Sequence, residues 1–191
     1  LLTIEYTGKI NDVKTPRDKT IGLFKSNFMK QNEGATANNY IFATHCQPSF
    51  ARLLFPCIDE PAIKTQFNLS IEAPSIYKIV SVSKQDQKQT ISDTTSLTTF
   101  ETTTLIPTSL FGFALGDLEE IHIDLPMDNG IMLPIHIYSP LNVTQATYTL
   151  DIVQKYLPLI QNFFKSKFPS NKLDFVLLPF LNDMVMENFT M

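Results

Sequence analysis

TQFNLSIEA, residues 65 to 73, decides the class of fold. Phe67, Leu69 and Ile71 fall at every second position, with Gln66, Asn68, Ser70 and Glu72 between them. A β-strand turns successive side chains to opposite faces, so this alternation predicts a strand with one face on a core and one in water, as in antiparallel sheets. Neighbouring stretches repeat the theme. LLTIEYTG, IGLFKSNF, YIFATHC, YKIVSVSK, SLTTFETTT, FGFALGD and EEIHIDL are short runs rich in β-branched and aromatic residues. Polar joints separate them at residues 8–19, 84–90 and 127–130, the last holding an Asn-Gly pair suited to a tight type I′ hairpin turn. The Thr-heavy residues 94–104 read as an exposed strand or hairpin face. Up to Pro134 the prediction is an all-β sandwich or saddle, so the fold as a whole is mainly β.

The pattern changes after Gly130. IMLPIHIYSP gives one more strand, and residues 147–168 then take helical spacing, with Ile152, Val153, Tyr156, Leu157, Ile160, Phe163 and Phe164 on one stripe. Pro158 lies within it and predicts either a kink or a junction between two shorter helices. KLDFVLLPF and VMENFTM follow as two further strands. Strand, helix, strand, strand is an α/β opening, which places a domain boundary between residues 134 and 135.

A chain of 191 residues, 43% hydrophobic and 18% charged, is long enough to bury a sizeable core. Its net charge of -4 and scattered Lys and Arg offer no basic stripe for a nucleic acid backbone. No apolar run of about 20 residues is present to span a membrane. LLTIEY alternates like a strand and has no charged leader region, so the chain is expected to start inside a folded element, as a fragment of a longer protein. Two cysteines, Cys46 and Cys57, make no disulfide framework and read as free thiols. Asn68, Asn142 and Asn188 head N-x-S/T sequons, a number that arises by chance in a chain rich in Asn and Thr. A cytoplasmic location is expected, a secreted or ER-lumenal one being the alternative.

Three places carry candidate chemistry. Asp59 and Glu60 lie between Pro56 and Pro61; adjacent carboxylates diverge on an extended chain, so they read as a rigid turn whose acids accept backbone N–H bonds. His45, His122 and His136 stand in no metal-ligand spacing and read as structural or pocket-lining groups. Glu187 is the third. A carboxylate inside an apolar strand is costly without a partner, so it reads either as a core-strand Glu satisfied within the fold or as one whose partner lies outside this chain.

THCQPSFARLLFPCIDEP, residues 44–61, followed by FPSNKLD at 168–174 and MVMEN at 184–188, resembles the M1 family of zinc aminopeptidases. The family's patterns are T-Q-x-E/Q-P-x-x-A-R-x-x-F-P-C-x-D-E-P, Y-P-x-x-K-x-D and G-A-M-E-N, in that order. LLTIEYTGKIND and GLFKSNF are similar to its early strands, so the likeness runs along nearly the whole chain. The resemblance implies a β-rich saddle domain over residues 1–134, and at residues 135–191 the start of a thermolysin-like catalytic domain, cut before its zinc motif. It implies a peptide substrate with a free N-terminus, its ammonium taken by Glu187 with Gln47 as second amine contact, and its main chain laid along Met184, Val185, Met186 and Asn188. His45, in place of a usual Gln, would stand near the first side-chain pocket. Zinc is the implied cofactor of the parent protein. The family's H-E-x-x-H is not in these 191 residues, so the chain alone is expected to be inactive.

Met184 and Val185 replace the motif's Gly and Ala, and Gly permits close backbone approach. That motivates an alternative: an M1-like protein that grips N-termini of peptides or nascent chains without efficient cleavage. A member acting on a non-peptide epoxide and a plain β interaction domain are weaker readings.

Overall fold

The computed structural model describes residues 2–29, 39–127, 130–183 and 185–191. Strands β1 (Asn11–Val13), β2 (Gly22–Phe28) and β3 (Asn39–His45) open the fold. After a short 3-10 turn at Ala51–Leu53 come β4 (Lys64–Thr65), β5 (Ser70–Pro74), β6 (Lys78–Ser81), β7 (Gln85–Thr90), β8 (Thr95–Phe100) and β9 (Ile106–Pro107). Next are β10 (Phe113–Gly116), β11 (Glu119–Pro126), β12 (Met132–Ser139), helix α1 (Thr147–Phe164) and β13 (Leu173–Val176).

These strands make a five-stranded sheet ordered β1-β2-β3-β10-β6, a three-stranded sheet β5-β8-β7, the pair β4-β9, and a sheet β11-β12-β13. All neighbours are antiparallel except β1 with β2 and β12 with β13. The last pair is joined through α1, as a parallel connection requires. The fold is thus mainly β, as the alternation predicts. Phe67, Leu69 and Ile71 are half-buried while Gln66, Asn68, Ser70 and Glu72 are exposed.

Apolar side chains from β11, β12 and α1 form one core around Ile135, Ile137, Leu150 and Leu157. Val13, Phe24, Ala43 and Ala114 form another on the five-stranded sheet, and Val176, Leu178, Phe180 and Leu181 lie over it. The segment after β13 is therefore the lid of that sheet. Phe55, Phe67 and Phe111 close a third cluster, with ring centroids 4.7 to 6.0 Å apart.

Several expectations need correction. Residues 2–10 form no strand and are exposed, because no strand stands beside them among the described residues to take their backbone bonds. KLDFVLLPF is a strand only to Val176; Pro179 has no N–H for a ladder. VMENFTM forms no strand: Thr190 has φ of 67°, which breaks an extended run, and single hydrogen bonds replace a ladder. The Thr-rich stretch does form a hairpin strand, but β8 is central in its sheet, and Ser96, Thr98 and Thr103 are buried. The helix ends at Phe164, closed by Lys165 at φ of 49° with its N–H to Asn162 O and Ser166 N–H to Gln161 O. It runs unbroken through Pro158, which lies on the exposed side, where water can meet the carbonyl that Pro leaves unbonded. Of the stripe, Leu157 is buried and Ile152 and Val153 are half-buried, whereas Tyr156, Ile160, Phe163 and Phe164 face solvent. The 127–130 turn holds Met127 N–H to Ile131 O at 2.9 Å and Gly130 at φ of 77°; Asp128 and Asn129 lie outside the described residues.

Candidate functional site

The chain past β13 leaves its strand, crosses the five-stranded sheet and ends in a loop, residues 185–191. Polar contacts from the β-rich part hold that loop at intervals. Thr20, ahead of β2, donates its N–H to Asn182 Oδ1 at 2.6 Å, and its hydroxyl lies 3.0 Å from the same oxygen and 3.2 Å from the Asn182 N–H. Asn182 also donates its amide to Pro16 O at 3.3 Å. Further on, Phe189 N–H bonds Leu110 O at 3.0 Å, Asn188 N–H bonds Met191 O at 3.1 Å, and Thr190 O accepts from Asp174 N–H at 2.9 Å.

The residues singled out in the sequence come together here in part. β3 delivers His45 at its end, buried and with Nδ1 2.6 Å from Thr20 O. Its Nε2 lies 3.6 Å from Asp183 Oδ2, and its ring meets Phe50 edge-on. Gln47, in the turn that follows, is half-buried and donates its side-chain amide to the backbone carbonyl of Glu187. Glu187 itself is exposed, and among the described residues its carboxylate makes no ion pair. Val185 is exposed and Met186 half-buried. The Asn188 side chain packs so closely on Gly112 that a Cβ there would stand 2.8 Å from Asn188 Cγ. Asn188 Oδ1 is buried without a hydrogen-bond partner among the described residues. Met184 lies outside the described residues.

Beside this loop runs an apolar cavity of about 750 Å³, walled by Ala43, Ala114, Leu178 and Leu181, with Met186 and Glu187 at its edge. The arrangement offers a carboxylate to a cation at the rim of an apolar hollow.

Asp59 takes the structural role expected of it. Its Oδ2 accepts the Arg52 N–H at 3.0 Å and the Arg52 Nε–H at 3.1 Å, and its Oδ1 accepts the Thr108 hydroxyl at 2.7 Å. Burial pushes its carboxyl up, but the bonds from Thr108 and Arg52 outweigh this and hold it below the usual range. Cys46 and Cys57 are free thiols; burial pushes Cys46 up to about 12.

Sequence reasoning missed a second cluster. Lys172 Nζ is buried, donates to Ser81 O at 2.6 Å and pairs with Asp174. Asp174 Oδ1 lies 3.1 Å from His136 Nδ1, and His136 Nε2 lies 3.8 Å from Glu120, which pairs with Lys78 at 3.0 Å. The hydrogen bond to Asp174 raises the His136 pKa, against the effect of burial. Burial lowers that of Lys172 against the pull of Asp174. The K-x-D spacing was the available signal, since residues two apart in a strand share a face. Thr20, Asn182 and Asp183 carried no such signal.

The model of the Peptidase M1 N-terminal domain matches residues 1–110. The chain is 48% identical to Protein TMA108 of Saccharomyces cerevisiae, over 100% of this chain and 20% of that protein. It is 32% identical to Aminopeptidase 2 of Candida albicans, over 98% of this chain and 19% of the relative, and 30% identical to Aminopeptidase Q of Acinonyx jubatus, over 91% and 17%. The chain thus spans about one fifth of the length of the curated relatives it matches.

Proposed function

We propose, from the premise that the chain belongs to the M1 peptidase family, that it is the N-terminal and substrate-anchoring portion of an aminopeptidase. It holds a peptide by its free N-terminus while the parent protein removes residues from that end. The observation that carries this reading is Glu187, exposed at the rim of the apolar cavity with no cation of its own paired to it among the described residues. Such a carboxylate makes charge-assisted bonds to an ammonium and none to an acetylated terminus. Gln47, bonded to the Glu187 backbone carbonyl, is in this reading the second amine contact. The Val185 carbonyl and the Met186 backbone are the groups that would meet peptide main chain without reading its side chains, the Val185 N–H being bonded to Asp183 O.

In this reading residues 1–134 form the saddle unit and residues 135–191 open the catalytic unit through β12, α1 and β13. Zinc is the cofactor that the family reading brings. Among the described residues no group of three His, Cys, Asp or Glu stands together to hold a metal, and His136 is engaged with Asp174. These residues do not fit zinc, and in this reading its ligands lie elsewhere in the parent. No helix among the described residues is long and apolar enough to cross a membrane. The free thiols support a reducing, cytoplasmic compartment.

The test is peptide hydrolysis and binding by the full-length protein, using matched peptides with free and N-acetylated ends. Glu187→Ala is expected to abolish the preference for the free amine. An unchanged preference in that variant refutes the reading.

One observation favours a second reading, in which N-termini of peptides or nascent chains are gripped without efficient cleavage. Val185, standing where the family motif has Ala, is 67% exposed along the path assigned to the peptide, and Met184 stands in place of Gly. Tight binding of the free-amine peptide with no release of its first residue identifies this case.

A further inference from the structure

Thr20 is gripped from two sides. Asn182 takes its N–H and hydroxyl, while His45 takes its carbonyl, and the same imidazole faces Asp183 with its other nitrogen. His45, Thr20, Asn182 and Asp183 therefore close a ring of contacts at the corner where the chain enters the loop that carries Glu187. We infer that His45 is a positioning residue whose protonation locks this corner, and with it the Glu187 loop, against the β-rich part of the fold.

A backbone carbonyl only accepts hydrogen bonds, so the 2.6 Å contact to Thr20 O puts the proton of a neutral ring on Nδ1. Nε2 then presents a bare lone pair to the Asp183 carboxylate 3.6 Å away, and two acceptors face each other. Protonation adds an Nε2–H and turns this opposition into an ion pair. The ring is 3% exposed, which leaves little room for water to mediate the contact. Three groups meet the ring among the described residues: the Thr20 carbonyl from the loop before β2, Phe50 from the turn after β3, and Asp183. Asp183 is the charged one. The adjoining Cys46 thiol, pushed up to about 12, stays neutral throughout. The corner is locked when the ring carries protons on both nitrogens and relaxed when Nε2 is bare. Its consequence for peptide grip rests on the reading of Glu187 given above; the latch itself does not.

The experiment is hydrogen exchange of the Thr20, Asn188 and Phe189 amides in the full-length protein, corrected for intrinsic exchange. It compares about pH 5.5 with about pH 7.5. Protection is expected to rise about threefold in acid, the ratio that a partly exposed ion pair supports. Asp183→Asn supplies an amide donor to the bare Nε2, so that variant is expected to hold the protected level at both pH values. Flat protection in the wild type, or an unaltered pH dependence in Asp183→Asn, overturns the inference, as does a ¹⁵N spectrum placing the neutral ring's proton on Nε2. Free and N-acetylated peptides titrated in parallel separate the two claims. If exchange behaves as stated while both peptides bind alike, the latch stands and the amine reading falls. If the free amine is preferred while exchange is flat, the latch falls alone.

Discussion

The Gln47 side-chain amide donates to the backbone carbonyl of Glu187, 140 positions further along the chain. One hydrogen bond thus ties the backbone of the Glu187 loop to the turn that follows β3. A bond of this kind contributes about 1 kcal/mol net. Gln47→Ala is expected to weaken binding of a free-amine peptide to the full-length protein by about fivefold. Binding of the acetylated peptide should not change, and isothermal titration of both reads the difference.

Gly112 and Asn188 define the tightest approach in the site. A methyl group at 112 would stand 2.8 Å from Asn188 Cγ, Oδ1 at 2.8 Å and Nδ2 at 2.9 Å. The Asn188 side chain is held in a loop with few bonds of its own, so the loop rather than the sheet must yield. Gly112→Ala is expected to lower stability by about 1 to 3 kcal/mol, the range for forcing extra volume into a packed position. It should also loosen residues 185–191. Denaturant titration measures the first effect, and proteolytic nicking of that loop the second. A variant with unchanged stability and unchanged nicking contradicts the packing described here.

The Lys172–Asp174 pair is buried and ties the β13 region to β6 through Ser81 O. Its charges were taken out of water, so removing one partner leaves the other uncompensated. Lys172→Met is expected to destabilise the protein by about 3 to 5 kcal/mol. The double variant Lys172→Met with Asp174→Leu is expected to recover part of that loss, because no buried charge is then left alone. Chemical denaturation of the wild type, the two single variants and the double variant forms the cycle. A double variant worse than the sum of its parts rules out charge isolation as the cause.

What was legible in the sequence was local. Alternation over residues 66–72 fixed which side chains face inward, and the Phe67, Leu69 and Ile71 face is half-buried as it requires. Alternation cannot say whether a neighbour exists. Residues 2–10 have the composition of a strand, yet a strand needs a partner for its N–H and C=O groups, and none stands there among the described residues. The motif spacing brought Gln47 to the Glu187 backbone, a contact that no periodicity contains. Thr20, Asn182 and Asp183 stayed hidden for a related reason: each is an ordinary polar residue in its own stretch. Only the path of the chain over the five-stranded sheet makes them partners. On α1, spacing found the apolar stripe but could not tell which part of it the β11-β12 sheet covers. Leu150 and Leu157 are buried there, while Phe163 and Phe164 are not.

His136 gives the stability of the fold a pH dependence of known sign. The hydrogen bond to Asp174 raises its folded pKa above the value in the unfolded chain, with the Asp174 and Glu120 charges adding to the effect and burial opposing it. A group whose folded pKa is raised binds its proton more tightly when folded. Its contribution is therefore fully present below the unfolded value of about 6.5 and is lost as pH rises through the folded value. His136→Asn keeps an amide donor where Nδ1 stands and cannot titrate. The difference in unfolding free energy between wild type and this variant is expected to shrink steadily from about pH 6 to about pH 8, the imidazole range. Every other group is common to both proteins, so its effect cancels in that difference unless it couples to His136. His122 does lie against it, the rings tilted by 39° with centroids 5.5 Å apart, and a His122→Phe background removes that complication. A difference curve that is flat, or that grows with pH, shows that Asp174 spends its charge on Lys172 alone.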